Sequence, residues 1–146
     1  MLSRLLRQTL TAAWSASALL GCGDVHKAMQ EAESLQKRYE AHAWLNNNRD
    51  HWAFAEHRFH SAAAALAFVD TLYRAGADSV YVAYVMTDSV LSLAHGGPYS
   101  EVFIVRLPED TIARSRLLEI EAREARHSDF QAASDLAQRY LLLWWR

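Results

Sequence analysis

Apolar residues at positions 25, 29, 32, 35 and 39 return every three or four places, which predicts a helix over 25–44. Asp24 caps it, and Glu33 with Lys37 forms an exposed pair one turn apart. The run Asn46-Asn47-Asn48-Arg49-Asp50 breaks this rhythm as a polar loop. Beyond it a strand–helix–strand pattern occurs twice. Residues 52–59 predict a strand. Ser61 caps a helix over 62–75 whose Leu66, Val69 and Tyr73 share a face, and Gly76 suits its left-handed stop. Residues 79–86, rich in β-branched and aromatic side chains, predict the next strand, and 87–100 a long loop. Residues 101–107 predict a third strand. Pro108 then opens a helix with Glu109 and Asp110 in its first turn, continuing through Ala113, Leu117 and Ile120 to about Arg126. A connector over 127–138 has room for one extra turn, and 140–145 predicts the last strand.

The order β-α-β-β-α-β predicts an α+β fold, the ferredoxin-like sandwich, with an extra N-terminal helix. Right-handed crossovers place both main helices on one side of the sheet. A sheet covered on one side alternates apolar with polar residues. Here Leu141, Leu143 and Trp145 alternate with Tyr140, Leu142 and Trp144, and residues 80–85 do much the same. The second face therefore needs a cover. The helix over 25–44 folding back across it is the favoured cover; a homodimer or another partner chain is the alternative.

The first 22 residues change the picture more than the composition does. Arg4 and Arg7 precede a soft apolar run over 10–20, no acidic residue occurs before Asp24, and the chain's one cysteine follows Leu19-Leu20-Gly21. A basic start, a short apolar stretch and small residues before a cut are the parts of an export signal. The Leu19-Leu20-Gly21-Cys22 junction resembles the lipobox of bacterial lipoproteins. That resemblance implies cleavage before Cys22, a lipid on its sulfur, and a membrane-anchored protein of the cell envelope. The competing reading makes 9–21 an ordinary buried helix of a cytosolic protein. On the lipoprotein reading the chain divides into a cleaved signal peptide at 1–21, an anchor and helix at 22–45, and a domain at 50–146. Removing Arg4 and Arg7 from the 15 basic residues leaves 13 against 17 acidic, a formal charge of −4. Such a balance gives no reason to expect nucleic acid, which needs a concentrated basic face. With 51% hydrophobic residues the chain can bury a core unaided, and a single cysteine allows no internal disulfide.

Glu56-His57-Arg58-Phe59, a following helix, and Gly76 before the next strand resemble the ribonuclease E regulator B family. The resemblance covers 30–145 in order of elements. It implies a leading helix and a ferredoxin-like core and transfers no function; a cytosolic regulatory or adaptor protein of that fold is the alternative reading. This chain lacks the acidic tail of that family, ending in Trp144-Trp145-Arg146.

Several groups carry chemistry by type. His51, Glu56, His57 and His60 form the densest local cluster, yet along a strand His51 and His57 lie roughly 20 Å apart, too far for one ion. His57 and His60 remain as weak metal candidates, or as a weak enzyme's machinery. Asp70, His60 and Ser61 have the residue types of a nucleophilic triad, but Ser61 is explained as a helix cap and no Gly-x-Ser-x-Gly elbow exists. Glu31, Glu33, Glu119, Glu121 and Glu124 read as solvated helix faces. The loop with His95, Gly96, Gly97 and Tyr99 is the predicted ligand-binding segment, its glycines freeing backbone amides and Tyr99 stacking on a ligand. The sequence therefore predicts a non-enzymatic lipoprotein without cofactor, binding a protein or small ligand through this loop or the sheet.

Overall fold

A computed structural model describes residues 37–48, 52–87, 90–94 and 97–145. They belong to one compact unit, Leu35–Arg146. Four strands are present among them: β1 (Tyr39–Glu40), β2 (Ser79–Ala83), β3 (Val102–Arg106) and β4 (Tyr140–Trp144). Five helices accompany them: α1 (Ala41–Asn47), α2 (Glu56–Phe59), α3 (Ala62–Ala75), α4 (Val90–Ala94) and α5 (Thr111–His127). The fold is α+β, as the alternation of patterns predicts. The sheet runs β1-β2-β3-β4 with every neighbour antiparallel.

The long elements form where local chemistry starts and stops them. Ser61 Oγ accepts from the Ala64 amide at 3.1 Å, opening α3. Gly76, at φ +110°, closes it and sends its N–H to the carbonyls of Leu72 and Tyr73. The turn is tight as well as left-handed, because a Cβ on Gly76 would stand 2.6 Å from the Ala113 Cβ. Asp110 caps α5 through Oδ2 on the Ala113 amide at 2.7 Å, so this helix starts after Asp110 and not at Pro108. β2 ends early because Tyr84 turns left-handed at φ 52°. The described part of the loop over 87–100 contains the short helix α4, with Val90 and Leu93 exposed.

Two predicted elements take a different form. Residues 52–59 are not a strand. Only Phe54 makes a bridge, parallel to Ser100, before the backbone turns left-handed at Ala55 and winds into α2. β4 pairs directly with β3 over five residues, from Val102↔Trp144 to Arg106↔Tyr140, and so holds the place beside β3 that the interleaved ferredoxin-like order gives to the first strand. The sheet is accordingly a meander. The helix over 25–44 is also interrupted. Its described part holds β1, which pairs Tyr39 with Val82 and Glu40 with Tyr81. The Glu40 carboxylate then accepts from the amides of His42 and Ala43 and starts α1. Residues 25–36 lie outside the described residues.

α1 packs on the same face of the sheet as α3 and α5. Ala41 and Leu45 join Val69, Leu72, Leu117, Val80, Val82, Phe103, Leu141 and Leu143 in one buried core. Five aromatic rings fill one end of it. Phe54 stacks on Phe103 with centroids 4.0 Å apart, and Trp145 meets Phe54, Phe59, Phe68 and Phe103 edge-on at 5.1 to 5.8 Å. Each such pair adds about 0.5–1.5 kcal/mol beyond the area it buries. The opposite sheet face carries a second cluster of Ala83, Val102 and Ile104, flanked by Tyr81, Tyr140 and Leu142. Arg38 lies 4.5 Å over the Tyr140 ring, and Phe130 stacks on Trp144 at 5.7 Å. Both faces are apolar, as the sequence predicts. The described residues 41–44 of the expected covering helix sit on the main-core side instead.

Candidate functional site

The aromatic end of the core opens into a cleft of about 410 Å³ lined by His57, Arg58, His127, Ser128 and Trp145. Three elements meet there: α2, the last turn of α5, and the residue after β4. α2 is one helical turn held between two left-handed residues, Ala55 at φ 38° and His60 at φ 59°. Neither is glycine, and such a conformation costs of order 1–3 kcal/mol per residue unless surrounding contacts hold it. Phe59 supplies that hold by sinking into the core, which leaves Arg58 facing α5 and His57 exposed at the rim.

Beneath the cleft the charged groups close on one another. Arg58 Nε and Nη2 each donate to the Glu124 carboxylate at 2.8 Å, a two-pronged pair. Trp145 Nε1 donates to Glu124 Oε2 at 2.9 Å from inside the core. Burial alone would raise the Glu124 pKa. The Arg58 fork, the Trp145 N–H and the nearby His127 outweigh it and hold the carboxyl below its ordinary value. Glu124 in turn raises the Arg58 guanidinium. The pair is ionised and the indole is locked in place.

Glu121, one turn earlier on α5, is also buried and accepts from the Ala133 amide at 2.9 Å. The expectation that Glu121 and Glu124 sit on a solvated face is thus corrected. Positions 117, 120, 121, 124 and 125 form the buried side of α5, and that spacing was the signal that could have found them. Arg58, Glu124, His127 and Trp145 were not among the predicted site residues, except that His57 brings its neighbour Arg58 into view.

The predicted loop site is rearranged. His95 and Gly96 lie outside the described residues, as does His51. Gly97 bonds back to Ser92, N–H to carbonyl at 3.0 Å and carbonyl to hydroxyl at 2.7 Å. Tyr99 does not offer a stacking face: it is 2% exposed, and its hydroxyl donates to Glu101 at 2.9 Å. Burial, reinforced by Glu101, pushes its pKa up. The triad types are likewise apart, since Ser61 caps α3 and Asp70 bonds His42 at 2.7 Å. His60 is exposed, and no group of three or more histidine, cysteine, aspartate or glutamate side chains able to hold a metal occurs among the described residues. Cys22 lies outside them. No helix among the described residues is long and apolar enough to cross a membrane.

His42 marks a second polar cluster, away from the cleft. Its ring stacks on Tyr73 at 5.2 Å, and Glu40 stands 3.4 Å from Nδ1. The bond to Asp70, more than burial opposes it and with Glu40 adding to it, raises the His42 pKa. This cluster ties β1 and α1 to α3. The cleft is the better candidate. No family model, curated protein or solved structure matches the chain.

Proposed function

We propose that this protein is a lipoprotein of the cell envelope, anchored through Cys22, whose Leu35–Arg146 unit is a non-enzymatic binding module with its ligand site in the cleft between α2 and the end of α5. The observation that carries the binding half is the closed Arg58–Glu124–Trp145 set. A general acid or base needs a proton to exchange with its substrate, whereas here the carboxylate is held ionised by three N–H donors. A rigid, paired floor with two exposed histidines at its rim suits recognition. The anchor half rests on Arg4, Arg7, the apolar run and the lipobox-like junction.

The packing of α3 and α5 on one face of an antiparallel sheet is what supports a distant ferredoxin-like reading, since the Phe54–Ser100 bridge is parallel where that fold pairs its first and third strands antiparallel. That keeps the likeness to ribonuclease E regulator B at the level of fold.

Labelled palmitate supplied to cells expressing wild type or Cys22→Ala tests the anchor. Wild type is expected to carry label and sediment with membranes, while Cys22→Ala carries none. Equal labelling, or an unlabelled soluble protein that keeps Met1, would replace this reading with a cytosolic regulatory or adaptor protein.

A further inference from the structure

We infer that the loop between β2 and β3 docks on a lipid bilayer, with α4 lying at headgroup depth and Val90 and Leu93 entering the acyl boundary. This rests on the anchor half of the proposed function and names the face of the domain that meets the membrane. Val90 and Leu93 are 83% and 78% exposed, more than any other large apolar side chain among the described residues. With Ala94, also exposed, they occupy one side of α4, at the i, i+3 and i+4 spacing that shares a helix face.

That side is turned outward by the bonds behind it. Ser92 is buried, its hydroxyl 2.9 Å from the Thr87 carbonyl and 2.7 Å from that of Gly97. Met86 and Tyr99 bridge across the base of the loop, and the Asn48 side chain donates to the Pro98 carbonyl at 3.1 Å. Two apolar side chains are thus held in water by a braced loop. No Asp, Glu, Lys or Arg occurs from Ser89 to Ser100 to oppose their entry into lipid. Trp52 and Tyr84, both exposed, stand at the same end of the sheet, one beside the Ala53–Ser100 bond and the other directly after β2. Tryptophan and tyrosine are the side chains favoured at headgroup depth.

The point where the chain joins the sheet selects a membrane over a protein partner. β1 pairs antiparallel to β2, Tyr39 with Val82 and Glu40 with Tyr81, so Lys37 and Arg38 precede the strand on the side where β2 runs out into the α4 loop. The stretch from Cys22 to that point spans at most about 50 Å. A lipid on Cys22 therefore holds toward the bilayer the end of the sheet that carries the apolar tip, and Lys37, exposed there, suits phosphate headgroups. Ile112, 62% exposed, sits past the opposite end, in the first turn of α5 after β3 has finished.

The test uses the protein purified from cells and reconstituted in phosphatidylethanolamine–phosphatidylglycerol vesicles that carry a doxyl-labelled lipid. Leu93→Cys and, as the far-end control, Ile112→Cys take an environment-sensitive fluorophore on the introduced thiol, Cys22 being blocked by its lipid. The expected result is blue-shifted emission at position 93 and lipid quenching there at least threefold stronger than at position 112. Val90→Cys repeats the measurement should Leu93→Cys fail to fold. Equal quenching at the two positions, or none at either, overturns the inference and leaves the anchor. A blue-shifted probe at position 93 that lipid does not quench means that protein covers α4, and overturns it too. A second label per chain exposes a bare Cys22 and removes the anchor reading together with this inference.

Discussion

Replacing Glu124 by glutamine keeps the shape of the floor and removes its charge. Arg58 then loses a two-pronged charge-assisted pair, an interaction worth about 1.5–3 kcal/mol when desolvated. Glu124 is 11% exposed but Arg58 is 36% exposed, so solvent screening takes part of that away. The amide oxygen can still accept from Trp145, which spares most of the indole contribution. We expect a net loss of about 2 kcal/mol at pH 7. With a urea dependence of about 1–1.5 kcal/mol per M for a unit of this size, the unfolding midpoint falls by roughly 1.5 M. Tryptophan fluorescence follows the transition. The same variant has a second signature. The folded state holds the Glu124 pKa below its unfolded value, so its stabilisation is complete above the ordinary carboxylate value and is lost as pH falls through the lowered one. The gap between wild type and Glu124→Gln must therefore close as pH falls below the ordinary carboxylate range. Equal midpoints at pH 7, or a gap that stays constant into acid, would refute the reasoning.

At His42 the sign is reversed. Its folded pKa is raised, so the stabilisation is present below about 6.5 and disappears as pH rises through the folded value. Side-chain exposures of 38% and 54% for His42 and Asp70 keep the effect under about 1 kcal/mol, and Asp70→Asn should flatten the difference between melting temperatures at pH 6 and pH 8. Gly76→Ala forces a positive φ and a 2.6 Å approach to Ala113; we expect a loss of about 2–3 kcal/mol, read as a melting temperature roughly 10 °C lower by calorimetry. Ser100→Ala strips a fully buried hydroxyl that donates to the Ala83 carbonyl at 2.6 Å and accepts from the Val102 amide at 3.2 Å, and urea titration should show about 1–3 kcal/mol lost.

The elements readable in advance were those whose side chains and caps agree. β2 and β3 announce themselves as β-branched and aromatic runs and β4 as an unbroken apolar one, while Ser61 and Gly76 bracket α3 as their chemistry requires. Residues 52–59 misled because Trp52, Phe54 and Phe59 look like strand residues. The burial of Phe54 and Phe59 comes from the aromatic end of the core, and the backbone direction is set by Ala55 and His60, neither of them a glycine that would announce a left-handed turn. The break at β1 was hidden for a similar reason: Tyr39 fits the helical stripe equally well, and only pairing with Val82 decides otherwise. The site was legible only at its edge. His57 was visible as a residue type, but Glu124 looked like one more surface carboxylate. What distinguishes it is a partner 66 positions away and an indole 21 positions away, distances that no local pattern encodes.

Trp145 belongs at once to the hydrophobic interior and to the wall a ligand would touch. Any change that loosens Phe68 or Phe103 will therefore tilt this indole and, through its N–H, disturb the carboxylate that orients Arg58. On the proposed binding role, selectivity cannot be retuned independently of how well the chain folds: whoever redesigns the rim inherits the interior as a constraint, and a mutation deep among the rings is expected to read out as altered recognition before it reads out as unfolding.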